Sequence, residues 1–249
     1  MKKIIVVLIF TSLNLICFGQ GGMNFSIKGG GGYSTFLNGN WHSGFGFENE
    51  NIIGTGFGAE IGWNSHHAPI GFTFGVWMNS NEHKHKVLGF PIPDIYIVHY
   101  KYESVSFPLL LRIRPTGNSK TREFELGGPY AEIGARFRSS QSMTVVSSFY
   151  LNESEPQDEL ENFNKSGIDL VAGVGYHQFG TTKFALAHGL RATYALSDMQ
   201  KNPDYTPFPG DEYGSYNGMF VEYKSTHLFT VEYVLTLTLK IPSRYIGRR

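Results

Sequence analysis

Cysteine is nearly missing: Cys17 is the single one in 249 residues. It precedes the expected leader cleavage, so the mature chain has no disulfide frame and no thiolate chemistry. A bias of charge is missing too. Lys and Arg total 21 against 21 Asp and Glu, so there is no bulk basic signal and no nucleic-acid partner is expected. No apolar run reaches the roughly 18 residues of a transmembrane helix. Charged residues of both signs make up only 17%. In their place stand 30 glycines and 15% aromatics, a mixture that suits strands better than helices. A chain of this length holds one β-barrel or at most two ordinary domains.

Met1, Lys2 and Lys3 precede the apolar stretch Ile4–Phe10, and Cys17-Phe18-Gly19 places small residues before a cut ahead of Gln20. Residues 1–19 are therefore expected to be a secretory signal peptide, and 20–249 an outer-membrane β-barrel domain. Bulky Ile16 argues against a lipid-modified Cys17. An exported chain without helical anchors is periplasmic, secreted, or an outer-membrane barrel.

Thr226–Ile241 carries the clearest pattern. Phe229, Val231, Tyr233, Leu235, Leu237, Leu239 and Ile241 share one phase; Thr226, Thr230, Glu232, Thr236, Thr238 and Lys240 share the other. Successive strand residues point to opposite faces, so one face is apolar and the other polar. A tilted strand needs about 9–11 residues to cross a bilayer. Alone, this segment equally fits a soluble sandwich. Seven more segments repeat it, near Asn24–Phe36, Thr55–Asn64, Ile70–Asn79, Val105–Arg114, Glu123–Arg138, Gly167–His177 and Lys183–Leu196. The fourth can begin as early as Ile95. The fifth changes phase at Gly127-Gly128-Pro129, where a β-bulge is expected.

The connections alternate. Asn64–Pro69, Pro115–Arg122 and Gln178–Thr182 are short; Leu37–Gly54, Ser80–Tyr100, Ser139–Ser166 and Ser197–Ser225 are long. This predicts an all-β, eight-stranded antiparallel up-and-down transmembrane barrel, with short periplasmic turns and long extracellular loops, in the outer membrane of a Gram-negative cell. A Greek-key sandwich has no reason to alternate so. Phe25, Trp63, Phe72, Phe124, Tyr176 and Phe184 fall near the short-turn end and form a candidate aromatic girdle. Outer-membrane lipid is then the first partner.

With apolar side chains facing lipid, the lumen receives Glu60, Arg112, Arg114, Glu123, Glu125, Glu132, Arg136, Asp169, Arg191 and Glu232, with Lys28, Arg138 and Lys240. An eight-stranded barrel is only wide enough to be filled by its own side chains, and buried charges of both signs are best satisfied by pairing. Folding about Gly180 puts Asp169 opposite Arg191 and Tyr176 opposite Phe184. Folding the preceding hairpin puts Arg112 near Glu125 and Arg114 near Glu123.

Other motifs carry less. Gly54-Thr55-Gly56-Phe57-Gly58 has no helix after it, so it reads as small inward strand residues, not a dinucleotide site. The lysines in His83-Lys84-His85-Lys86 repel a metal cation, and His66-His67 is a turn. Glu153, Glu155, Asp158, Glu159 and Glu161 read as a solvated loop face. Asp204, Asp211 and Glu212 lack a calcium-loop pattern. His42-Ser43 has no orienting carboxylate, so no catalytic site, metal or cofactor is expected.

Val105-Ser106-Phe107-Pro108-Leu109-Leu110-Leu111 resembles the "leiPlll" strand of the PorT-like family of small outer-membrane barrels. Leu126-Gly127-Gly128-Pro129-Tyr130 is similar to its "aGpy" segment, and IDLVAGVGY and GLRATYALSD to its sixth and seventh strands. FSIKGGGGYSTF is similar to its start, so the likeness follows the mature chain in order. The seventh strand lacks the "GL.NI" ending, and the long loops depart from the family. The resemblance implies an eight-stranded outer-membrane barrel, and its namesake assists protein secretion. The resulting expectation is a non-enzymatic barrel with a filled lumen that binds a ligand or an envelope protein through its loops. An accessory subunit of a secretion system and a narrow uptake channel for small molecules are the alternatives.

Overall fold

The computed structural model describes residues 21–37, 47–65, 70–88, 95–114, 128–149, 152–153, 155–180, 183–201 and 225–241. The expected signal peptide lies outside them. The strands are β1 (Gly21–Leu37), β2 (Phe47–Asn51), β3 (Ile53–Ser65), β4 (Ile70–Leu88), β5 (Ile95–Ile113), β6 (Gly128–Phe149), β7 (Asn152–Glu153), β8 (Gln157–Asp158), β9 (Ser166–Gly180), β10 (Phe184–Ala195) and β11 (His227–Ile241). Eight of them, β1, β3, β4, β5, β6, β9, β10 and β11, pair antiparallel in that order, and β1 closes on β11 from Met23–Ile241 to Leu37–His227.

Closure is staggered. From Lys28 the ladder runs through Gly58, Trp77, Ser106 and Arg138 to Gly167 on β9; the other way it runs through Thr236 and Ala187 to His177. The two arrivals are ten residues apart along β9, from Gly167 to His177. Such a stagger tilts the strands and sets the bore of a closed barrel.

The alternation read from β11 holds: along Val231–Ile241 every second residue is buried, starting with Glu232. Apart from Val234 the buried set is polar and the exposed set apolar, the reverse of a water-soluble barrel. Phe57, Val174 and Leu190 remain 64, 60 and 54% exposed, so the outer belt requires an apolar surrounding. On β4 that belt ends after Met78, where Ser80, Glu82 and Lys84 follow on the outer face; on β5 it gives way to Glu103, Lys101 and His99. The exposed pair Lys101–Glu103 at 3.3 Å, with half-buried His99–Glu82 at 3.4 Å beside it, marks strand standing in water. The chain is an eight-stranded barrel of the outer-membrane type.

Several elements differ from the sequence expectation. The start at Ile95 holds for β5, but β4 runs past Asn79 to Leu88, so most of Ser80–Tyr100 is strand, with β4 and β5 paired as far as Leu88–Ile95. Likewise β6 continues to Phe149 and carries β7 and β8 on its edge. With β2 paired to β4, the barrel wall rises on this side as a four-strand sheet. Gln141 is skipped in the β5–β6 ladder, a bulge not expected from the sequence. Gly128 has φ +78°, a left-handed conformation that glycine tolerates at the start of β6. Gly127, Phe124, Glu123 and Glu125 lie outside the described residues.

Candidate functional site: a charged lumen under an apolar cap

The inward face of the barrel holds a chain of ion pairs. Lys28 Nζ lies 2.6 Å from Glu60 Oε2. Arg191 Nη2 reaches Glu60 Oε1 at 3.4 Å and Glu132 Oε1 at 2.7 Å, and Arg112 Nη2 meets Glu132 Oε2 at 3.0 Å. Five strands contribute, so the chain Lys28–Glu60–Arg191–Glu132–Arg112 crosses the bore. Glu232 is buried beside it, at the position paired with Arg191. The Arg112 guanidinium lies 4.8 Å from the Tyr130 ring and that of Arg191 5.5 Å from Trp77, both within cation–π range.

Glycine makes the crossing possible. Glu132 and Arg191 sit on β6 and β10, with Gly173 of β9 as the register partner of both. A Cβ at Gly173 would lie 3.0 Å from Glu132 Cγ, so a side chain there would push the two apart.

Three pairings expected from hairpin folding are corrected. Asp169 faces Ala195, not Arg191, and binds Arg136 at 2.9 Å and Arg138 at 3.0 Å. Tyr176 faces His188, while Phe184 faces Leu239. Arg112 faces Glu132 and therefore not Glu125; Arg114 follows β5 and is half-buried, and its expected partner Glu123 lies outside the described residues. In both hairpins the ladder centres further along the chain than the expected turn: Ala185 faces Gly180, and Ile113 faces Ala131. Each partner strand therefore sits several residues along from the place that folding about Gly180 or about Pro115–Arg122 would give it.

Above the belt the character changes. Phe36, Tyr100, Tyr102, Met143, Val145, Phe163, Ala195, Met199 and Leu228 form a buried apolar cluster, with Leu160 packed on it. Phe163 and Met199 come from connections, and the chain folds them over the mouth. Asn164 stitches them together: its Nδ2 donates to the carbonyls of Asp198 at 2.9 Å and Gln200 at 3.1 Å. Asp198 Oδ1 in turn accepts from the backbone N–H groups of Gln200 and Thr226. Ser140 joins cap to wall, donating to the Asn164 carbonyl at 3.0 Å, while Tyr102 lies 2.8 Å from both Ser140 Oγ and Arg138 Nη1. No periodicity distinguishes Phe163 or Met199 in the sequence, so neither was found there. Asn164→Ala is expected to lower stability by about 1–3 kcal/mol, because the two hydrogen bonds from Asn164 Nδ2 that tie the cap together are lost. Limited proteolysis reads the same loss as earlier cleavage within residues 155–165.

The other named residues are placed as follows. Phe25, Tyr176 and Phe184 are exposed on the outer face, and Trp63 faces half-buried Phe72 across β3 and β4. His83 is buried against Phe36 under the cap, with ring centroids 6.1 Å apart. Glu155, Asp158 and Glu161 are exposed. Among the described residues no cluster of three metal-ligating side chains occurs. His42-Ser43, His66-His67, Asp204, Asp211 and Glu212 lie outside them.

No family model matches the chain, and no curated protein does. Solved structures with a faint likeness are outer-membrane proteins. OprG of Pseudomonas aeruginosa is 12% identical with a TM-score of 0.40, over 90% of this chain and 99% of that one. Neisserial surface protein A is 11% identical with a TM-score of 0.34, over 87% and 97%. Ail, the attachment invasion locus protein of Yersinia pestis, is 13% identical with a TM-score of 0.35, over 88% and 99%, in a complex with the heparin analogue sucrose octasulfate. At these values the barrel assignment rests on the closed ladder and the apolar belt of the chain itself.

Proposed function

We propose that this chain is a non-enzymatic outer-membrane barrel whose lumen is closed and whose specific binding is done at the loop end. The observation that carries the proposal is the ion-pair chain crossing the bore. Buried charges satisfied by one another form a packed core, and moving them aside to open a path would strand several at once. Outward positions face lipid and inward ones fill the lumen, which leaves the rims to specialise. The tall wall of β2, β4, β5 and β6 presents a firm edge beside the long connections, a setting suited to recognising a ligand or an envelope protein. The PorT-like motifs support an envelope protein as that partner, and with it an accessory role in secretion.

Two measurements test this. Purified protein in planar bilayers should give no steady conductance; a stable open channel would replace this reading with uptake of small molecules. Exchanging Asp204–Tyr216 for a short Gly-Ser turn should leave the barrel folded and abolish crosslinking to its envelope partner in native membranes. Unchanged crosslinking would place the binding surface elsewhere.

A further inference from the structure

Two groups of buried charge occupy the described lumen, and in the upper one the cations outnumber the carboxylates. In the belt, Lys28, Arg112 and Arg191 stand with Glu60, Glu132 and Glu232. Above it, Arg136 and Arg138 share Asp169, the one carboxylate either reaches among the described residues. All three side chains are buried, the two arginines at 2% exposure. Arg136 donates its Nε–H to Asp169, and its Nη1 has no hydrogen-bond partner among the described residues. Arg138 donates to Asp169 through Nε and to Tyr102 through Nη1, and its Nη2 is likewise unpartnered.

Most buried ions can escape an unmatched charge by changing protonation. A guanidinium cannot, since it does not lose its proton in proteins. Among the described residues one positive charge therefore remains between the belt below and the apolar cap above, where leaving it uncompensated is costly. The neighbouring wall offers further donors. Thr193 and Thr230 face each other across β10 and β11, both buried, and neither hydroxyl has a partner among the described residues.

We propose that a small inorganic anion of single charge sits in the upper lumen against Arg136 and Arg138, as their second counter-ion beside Asp169. The site rests on the closed-lumen reading, because solvent in an open bore would screen the charge, so conduction and ion occupancy are measured separately. Bromide is the probe. Crystals of the mature protein grown in bromide should show an anomalous peak in contact with Arg136 or Arg138, and Arg136→Gln should lose it. In solution, wild type should gain about tenfold in its folding equilibrium at bromide concentrations ten times Kd, relative to gluconate at equal ionic strength. Arg136→Gln should show no such difference; if it does not fold, Arg138→Gln takes its place. A lumen without a peak overturns the proposal. So does a peak unchanged in the variant, which would be an adventitious ion only. Steady conductance together with a bromide peak at the arginines would support the ion site and refute the closed lumen.

Discussion

Asp169→Ala is expected to make the barrel about 3–5 kcal/mol easier to unfold, the cost of breaking a buried ion pair from one side. The loss is large because a single carboxylate holds two guanidinium groups, Arg136 at 2.9 Å and Arg138 at 3.0 Å. Each then keeps its charge in a buried site, and among the described residues Arg138 retains only neutral partners, Tyr102 and Ser140. Urea titration followed by tryptophan fluorescence in micelles measures the change. The shift in gel mobility between unboiled and boiled protein checks that the variant still closes. Double-mutant cycles name the partners: Asp169 should couple to Arg136 and to Arg138 by about 0.5–3 kcal/mol, and not to Arg191. A strong coupling to Arg191 would restore the register that folding about Gly180 suggests and overturn the geometry described here.

That contrast shows what a sequence can and cannot carry. The alternation in Phe229–Ile241 is local, and so it fixed which side chains turn inward without reference to any other strand. Register is not local. It depends on where a turn closes and on single skipped residues such as Gln178 and Gln141, whose effect is to slide a whole neighbour. Inward membership of Asp169 and Arg191 was therefore legible, and their partnership was not. The upper wall was partly hidden for a different reason. Above the membrane both faces of β4 carry polar residues, Asn81 and His83 inward, Glu82 and Lys84 outward, so the hydrophobic period fades although the strand continues. The cap was hidden altogether. Phe163 and Met199 stand alone among polar neighbours, and only the closure of the barrel brings them together.

Glu132→Ala is expected to cost about 3–5 kcal/mol as well, yet to leave the bore closed. Glu132 accepts three hydrogen bonds in the belt. It accepts from Arg191 Nε at 2.9 Å and Nη2 at 2.7 Å, and from Arg112 Nη2 at 3.0 Å. Without it, Glu60, at 3.4 Å from Arg191 and 3.9 Å from Arg112, also holds Lys28, and Glu232 is the other belt carboxylate left. Two acids then stand with three cations, so the belt loosens. Glu132→Gln, which keeps an acceptor oxygen of the same reach, should lose less than the alanine variant. Conductance separates the belt from the cap. The apolar cluster around Phe163 and Met199 lies above the belt, is built from different residues, and is tied down through Asn164, Asp198 and Ser140. Two barriers in series close a path even when one fails. Planar-bilayer recordings of Glu132→Ala should therefore stay silent while its unfolding midpoint falls. Steady current through this single variant would mean that the cap does not seal, and that the ion pairs alone had kept the barrel shut.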